Sequence, residues 1–233
     1  MTDGLLPLDQ GLFGRLRRDA GAAWDDYVGH DFVRALGRGT LPEAAFRHFL
    51  IQDYLFLIHF ARAHALAGFK ATQLADIRAA AAAVSTIVDV EMPLHVAYCA
   101  GWGLSEEQMA GAPEAIETMA YTRFVLERGL AGDLLDLQVA LAPCLVGYGE
   151  SGERLLADPA TRRDGNPYGR VDRRLYERGL SRRGARCGRA ARPAWRVTWR
   201  GDTLSAAPRH LRRGDATGDG VLGHGLAGRA GAG

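Results

Sequence analysis

Cys144 lies in the stretch LAPCLVGYGE, on a helical stripe that also carries Leu134, Leu137, Leu141 and Tyr148. Pro143, just before it, has no backbone N–H and clashes with the carbonyl of Val139, so the helix is expected to bend or loosen there. A cysteine at such a place, with Tyr148 one turn on, can present its thiol to a cavity. As a nucleophile it needs neighbouring donors or positive charge that favour the thiolate. The competing reading is a small buried hydrophobe. Asp53 poses the same choice, because it falls on the apolar side of its helix between Leu50 and Phe56–Leu57, where a lone carboxylate is costly. Either a buried partner on another helix pairs with it, or it lines a pocket and grips a polar nitrogen heterocycle. Glu91 and His95, four apart in VEMPLH, share a helix face and can ligate a metal or form a structural pair. Di-iron bundles space Glu and His by three and repeat the motif, which this chain does not, and the structural pair is the expectation. His59, His64 and Tyr121 read first as ordinary core or surface residues.

Helices must position these groups. The segment LLPLDQGLFGRLRRDAGAAWDDYV places Leu12, Leu16, Ala20, Ala23 and Trp24 on one stripe, and HDFVRALGRGTL reads as a connector punctuated by Gly37 and Gly39. A helix starts at Pro42, with Phe46, Phe49, Leu50, Asp53, Phe56, Leu57 and Phe60 on its buried side. An alanine-rich helix runs through Ala79–Ala83 to Cys99 and closes at Gly101. Short helices begin near Ser105, where SEEQ has the pattern of a capping box, and near Pro113. The last clear helix is DLLDLQVALAPCLVGYGESGERLLAD, capped by Asp133. No strand-like alternation occurs, and an all-α bundle is expected.

Composition bounds the rest. An apolar fraction of 47% suits one globular domain, and three cysteines without CxxC spacing argue against a disulfide framework or a zinc site. No apolar run is read as long enough to span a bilayer, and the start lacks the marks of a signal peptide, so a cytoplasmic setting is expected. The net charge of +2 hides an asymmetry: residues 1–170 hold 15 Lys/Arg and 22 Asp/Glu, whereas residues 171–233 hold 14 and 5 and twelve of the 30 glycines. Two parts follow, a helical domain over 1–170 and a basic Gly/Arg-rich tail over 171–233. The tail has no sustained apolar face. Its arginines, with Trp195 and Trp199, match a nucleic-acid-binding arm only superficially, and nucleic acid is not the expected partner.

Taken together, the segments HDFVRALGRGTLPEAAFRHFLIQDYLFLIHFARA, EMPLH, AYTRFV and LAPCLVGYGESGERL followed by DGNPY resemble the TenA family. These are the thiaminase II or aminopyrimidine aminohydrolase proteins of the haem-oxygenase-like fold. The resemblance covers about residues 24–169. It implies a helical bundle of that fold, a homotetramer, no cofactor, no metal and a small aminopyrimidine substrate. It implies that Cys144 is the nucleophile, that Asp53 hydrogen-bonds and activates the aminopyrimidine, and that Tyr121 orients cysteine and substrate. Tyr148 matches a pocket tyrosine, and Phe56 stands where some members have tyrosine, so it would stack on the ring without donating. Water then releases hydroxymethylpyrimidine for thiamine salvage. The alternative is a cofactor- or metal-binding protein on the same fold, using Glu91 and His95 without thiol chemistry.

One position of the family pattern has no counterpart, a glutamate ahead of Phe-Trp on a late helix. The tail accounts for it if read one nucleotide out of register. Lys70 is the only lysine beside many arginines, as in GC-rich coding sequence. With suitable codons, VDRRLY becomes WIDAY, and the stretch from Arg209 becomes RDIFAAATRLETGFWGMGW, which contains the glutamate and the Phe-Trp. The expectation is that residues from about Val171 are a frameshift product, and that the chain as it stands has impaired activity.

Overall fold

A computed structural model describes residues 11–169. The tail 171–233, with Cys187, Trp195 and Trp199, lies outside them, as do residues 1–10. Every regular element among the described residues is helical, as the all-α expectation requires. They form two units, residues 11–41 with 138–169 and residues 42–137.

The first unit opens with α1 (Gly11–Ala20) and α2 (Ala22–Val28). Where one continuous stripe was expected, the chain breaks at Gly21, whose φ of 56° is open to glycine and strained for other residues. Leu16 and Trp24 are buried, but Ala23 faces solvent. The segment expected to be a connector is instead a helix, α3 (Asp31–Arg38), burying Phe32, Val33 and Leu36. Gly37 does not interrupt it. It is glycine because a Cβ there would sit 2.6 Å from Leu155 Cδ2, so its function is close packing rather than a turn. The turn falls to Gly39, left-handed with φ 69° at the helix end. The carbonyls at that end are also met from far along the chain: Asn166 Nδ2 donates at 3.0 Å to the Leu36 oxygen, which Gly39 N reaches locally at 3.1 Å, and at 3.0 Å to the Gly37 oxygen, and Arg162 N donates to Gly37 O at 2.9 Å. Tyr168 closes the loop by donating its hydroxyl to Leu41 O.

The rest of this unit, from residue 138, runs from the later part of α9 (Leu134–Ala142), whose first residues belong to the second unit, through a π-helical turn, Pro143–Gly147, into α10 (Tyr148–Ala157), which packs on α2 and α3. Asp133 caps α9 as expected, accepting from Leu135 N at 2.7 Å and Asp136 N at 3.0 Å. Glu150 in α10 is 5% exposed and collects donors from three elements. Arg17 of α1 reaches it with Nε at 3.1 Å and Nη2 at 2.6 Å, Trp24 Nε1 of α2 donates at 2.8 Å, and Arg154 one turn on donates at 2.8 Å.

The second unit is organised by α4 (Glu43–Lys70). All seven residues assigned to its buried side are buried, and so are Gln52, Tyr54 and Leu55, so the middle of this helix is enclosed all round. Against it pack α5 (Leu74–Thr86), α6 (Met92–Cys99), α7 (Glu106–Ala110) and α8 (Ile116–Ala131). Small side chains bring α5 close: a Cβ on Gly68 would lie 3.3 Å from the Ala80 methyl. α5 and α6 are one run joined by a second π-helical turn, Ile87–Glu91, and ended by a single 3-10 turn, Ala100–Trp102. The left-handed glycine that closes it is Gly103, φ 73°, rather than Gly101. Contrary to the sequence expectation, this joined run, Leu74–Trp102, is long and apolar enough to cross a membrane by length and composition. Its length comes from the π turn joining two helices, and it packs on α4 along one side. The capping box at α7 is complete, with Gln108 N donating to Ser105 Oγ at 3.1 Å and Ser105 N to Gln108 Oε1 at 2.8 Å.

Burial alone would raise the Glu150 carboxyl, but the hydrogen bonds from Arg17, Trp24 and Arg154 outweigh it and hold the group below its ordinary value. A lowered folded value means stabilisation that is complete above the unfolded value of about 4.3 and is lost as pH falls through the folded one. Glu150→Gln should therefore lower stability by about 1–3 kcal/mol near neutral pH. It should also flatten the acid limb of the stability curve below about pH 4.3 in urea unfolding followed by circular dichroism.

Candidate functional site

Pro143 opens the π turn that holds Cys144, so the loosening expected from its missing N–H takes that form. The wider turn is held from α2. The Tyr27 hydroxyl donates to Pro143 O at 3.3 Å, and a Cβ on Gly147 would collide with the Tyr27 ring. Gly147 is thus glycine because the edge of the Tyr27 ring meets the turn there. Cys144 is 8% exposed, and neither it nor Cys99 is in a disulfide. Tyr148 begins α10 one turn after Cys144, as the spacing requires. Cys99, fully buried, has its thiol pushed up to about 11 by burial, the condition of an inert packing residue.

In the other unit, Asp53 is 7% exposed on α4. Its Oδ2 lies 2.7 Å from Nε2 of His95 on α6, and Nδ1 of His95 lies 2.8 Å from the backbone oxygen of Glu91. A buried helix–helix partner, one of the two readings for Asp53, is present. The pair foreseen between Glu91 and His95 is present too, though it uses the Glu91 carbonyl. A metal role for this pair does not fit the arrangement: both ring nitrogens of His95 are engaged, leaving no lone pair directed at an ion. Among the described residues no group of three or more His, Cys, Asp or Glu is placed to hold a metal.

Phe56, one turn after Asp53, stacks on Tyr121 of α8 with centroids 6.0 Å apart and planes at 16°. It also stacks on Phe60 at 5.2 Å and 28°. Asp53, Phe56 and Tyr121 therefore share one neighbourhood, a carboxylate beside an aromatic wall. His64 meets the edge of Phe60 at 4.7 Å. His59 points to a different network, 3.2 Å from Glu114 Oε1 and 2.9 Å from Arg123 Nη1. Burial first, then Arg123, disfavours its protonation.

Two residues that matter here escape a reading by stripe. Gln52 is 2% exposed, donates to Pro113 O at 3.0 Å and accepts from Ala115 N at 2.9 Å, so it fixes the entry to α8 and with it Tyr121. His95 as the partner of Asp53 is the other. A signal for it exists in Pro93, which removes the donor to the Asp89 carbonyl just as Pro143 does at Val139, and Asp89 lies inside the Ile87–Glu91 π turn.

The chain matches the TENA/THI-4/PQQC family model over residues 17–184, a span that runs past the compositional break at Arg170. It is 38% identical over 157 residues to an uncharacterized protein of Haemophilus influenzae, covering 67% of this chain and 72% of that one. It is 37% identical over 136 residues to an aminopyrimidine aminohydrolase of Halalkalibacterium halodurans, covering 58% of this chain and 61%, less than two thirds, of the relative. Among solved structures, a TenA family transcription regulator from Silicibacter sp. TM1040 aligns with a TM-score of 0.75 and 38% identity, covering 95% of this chain and 99% of that one.

If the Tyr27 ring is what requires glycine at 147, Gly147→Ala should cost about 1–3 kcal/mol through overpacking, read as a lowered thermal midpoint. Tyr27→Leu in the same chain should recover part of that loss.

Proposed function

Because the chain belongs to the TENA/THI-4/PQQC family, we propose that it is a thiaminase II-type hydrolase. It would release hydroxymethylpyrimidine from an aminopyrimidine or from thiamine. The observation that carries this reading is Asp53, a buried carboxylate one turn from the Phe56–Tyr121 stack. That neighbourhood suits a flat heterocycle bearing an amino group, with the carboxylate accepting from the amine edge and the rings lying against the π face. Relatives named aminopyrimidine aminohydrolase in three organisms, 31–37% identical, agree with it.

In this reading the Cys144 thiolate adds to a ring carbon and forms a C–S bond, while the ring nitrogen near Asp53 takes up the charge and a proton. Expulsion of the amine breaks the exocyclic C–N bond, and the leaving nitrogen departs with a proton. Water adds to the methylene carbon, giving up its proton to solvent, and the C–S bond breaks to return the thiolate as the ring nitrogen gives its proton back. Net, an aminomethyl group and water become a hydroxymethyl group and ammonia. Phe56 and Tyr121 hold the ring, and Tyr148, one turn from the thiol, is its neighbour on the helix. Cys144→Ser should lower turnover of an aminomethylpyrimidine by about 10³-fold or more, measured as ammonia release. The thermal midpoint should stay near that of the wild type, since the change conserves volume; undiminished turnover would remove Cys144 from the mechanism.

We also propose that turnover of the chain is impaired, because the tail holds no glutamate ahead of Phe-Trp. General acid–base assistance is worth ~10²–10⁴-fold. A one-base correction of the gene between the codons for Asn166 and Asp172, restoring that helix, should raise kcat by about that factor. An unchanged kcat would count against the frameshift.

A further inference from the structure

The hydrogen bonds around His95 fix where its protons are. The Glu91 backbone oxygen can only accept, so Nδ1 of His95, 2.8 Å away, carries a proton. Nε2 lies 2.7 Å from Asp53 Oδ2, with a second proton between them. His95 is 6% exposed, and its ring is held at both ends, on one side by the last carbonyl of the Ile87–Glu91 π turn and on the other by α4. Oδ2 of Asp53 is thus anchored by the imidazole, and the carboxylate plane is set by that contact. Oδ1 takes no hydrogen bond from the described residues, and Asp53 keeps 7% of its surface exposed. One oxygen is clamped and the other is left for a ligand, next to the Phe56–Tyr121 stack.

We propose that His95 is a positioning residue for ligand recognition: it donates from both ring nitrogens, anchors Oδ2 of Asp53 and so presents Oδ1 to the amino edge of the pyrimidine. This rests on the aminopyrimidine reading above. A purely structural tether between α6 and α4 would stabilise the fold equally for any ligand. A positioning residue makes a narrower difference, because an unanchored carboxylate rotates about its terminal bond and loses the directed hydrogen bond to the amine. The loss then concerns ligands that carry the amine and spares those that lack it.

The test is titration calorimetry with 4-amino-5-hydroxymethyl-2-methylpyrimidine and with its counterpart lacking the 4-amino group, on the full chain. His95→Phe should weaken the amino ligand about tenfold or more and leave the deamino ligand unchanged. His95→Gln, which can still donate to Oδ2, should recover most of the loss. Equal weakening of both ligands, or wild-type affinity in His95→Phe, overturns the positioning role and leaves the proposed function standing. A folded wild-type chain that binds neither ligand overturns both. Should His95→Phe fail to fold, nitrogen-15 spectra of the wild type decide the matter, with His95 assigned by comparison with His95→Gln. Two ring protons that become one in Asp53→Asn support the role, whereas a ring with one proton in the wild type overturns it.

Discussion

Three consecutive polar side chains at the middle of α4 are all buried, and the need to satisfy them organises the second unit. Gln52, Asp53 and Tyr54 are 2%, 7% and 3% exposed, a setting in which an unpaired amide, carboxylate or hydroxyl would be strongly destabilising. Each turns to a different element. Gln52 takes the Pro113–Ala115 segment ahead of α8, Asp53 takes His95 on α6, and Tyr54 donates to Glu106 on α7 at 2.9 Å. Burial, then Glu106, pushes the Tyr54 phenol up to about 12, so it stays a donor at any physiological pH. Consecutive residues on a helix point about 100° apart, so three in a row can pin three neighbours around a single axis. The Phe56–Tyr121 stack follows from this, since Gln52 sets where α8 begins and Tyr121 sits six residues after Ala115.

The first unit solves the same problem with charge. Glu150 draws α1, α2 and its own next turn together through five hydrogen bonds from two arginines and a tryptophan. Such a buried carboxylate is tolerable only because its donors are this many and this near. Three residues earlier on the same run, Gly147 allows Tyr27 to lie against the turn that carries Cys144. The thiol therefore stands on backbone whose position is fixed by α2 through one hydrogen bond and one close contact.

Both π turns stand beside a proline, Pro143 at the start of one and Pro93 two residues beyond the other. In each, the missing N–H leaves a helical carbonyl without its usual donor, and the ladder accommodates it by widening for a turn. Each wide turn is next to a residue with candidate chemistry, Cys144 in the first and His95 after the second. A side chain also borrows a carbonyl at each: the Tyr27 hydroxyl at Pro143 and the His95 imidazole at Glu91.

What the sequence by itself determined is local. The loosening at Pro143, the capping box at Ser105, the cap at Asp133 and the buried stripe of α4 depend on residues within one or two turns of each other. Helical geometry makes such relations readable from spacing. That Cys144 and Asp53 are candidates for chemistry was legible in the same way, as residues whose character conflicts with their surroundings. Tertiary structure decided the rest, because the deciding groups are far apart in the chain. Gly37 reads as a break until Leu155 occupies the space a side chain would need. The end of α3 is satisfied by Asn166, 129 and 130 residues away. Asp53 finds its partner 42 residues on, in an imidazole whose proton positions are set by a carbonyl. No local pattern encodes these pairings, since a buried polar group specifies that it must have a partner but not which one the packing will bring.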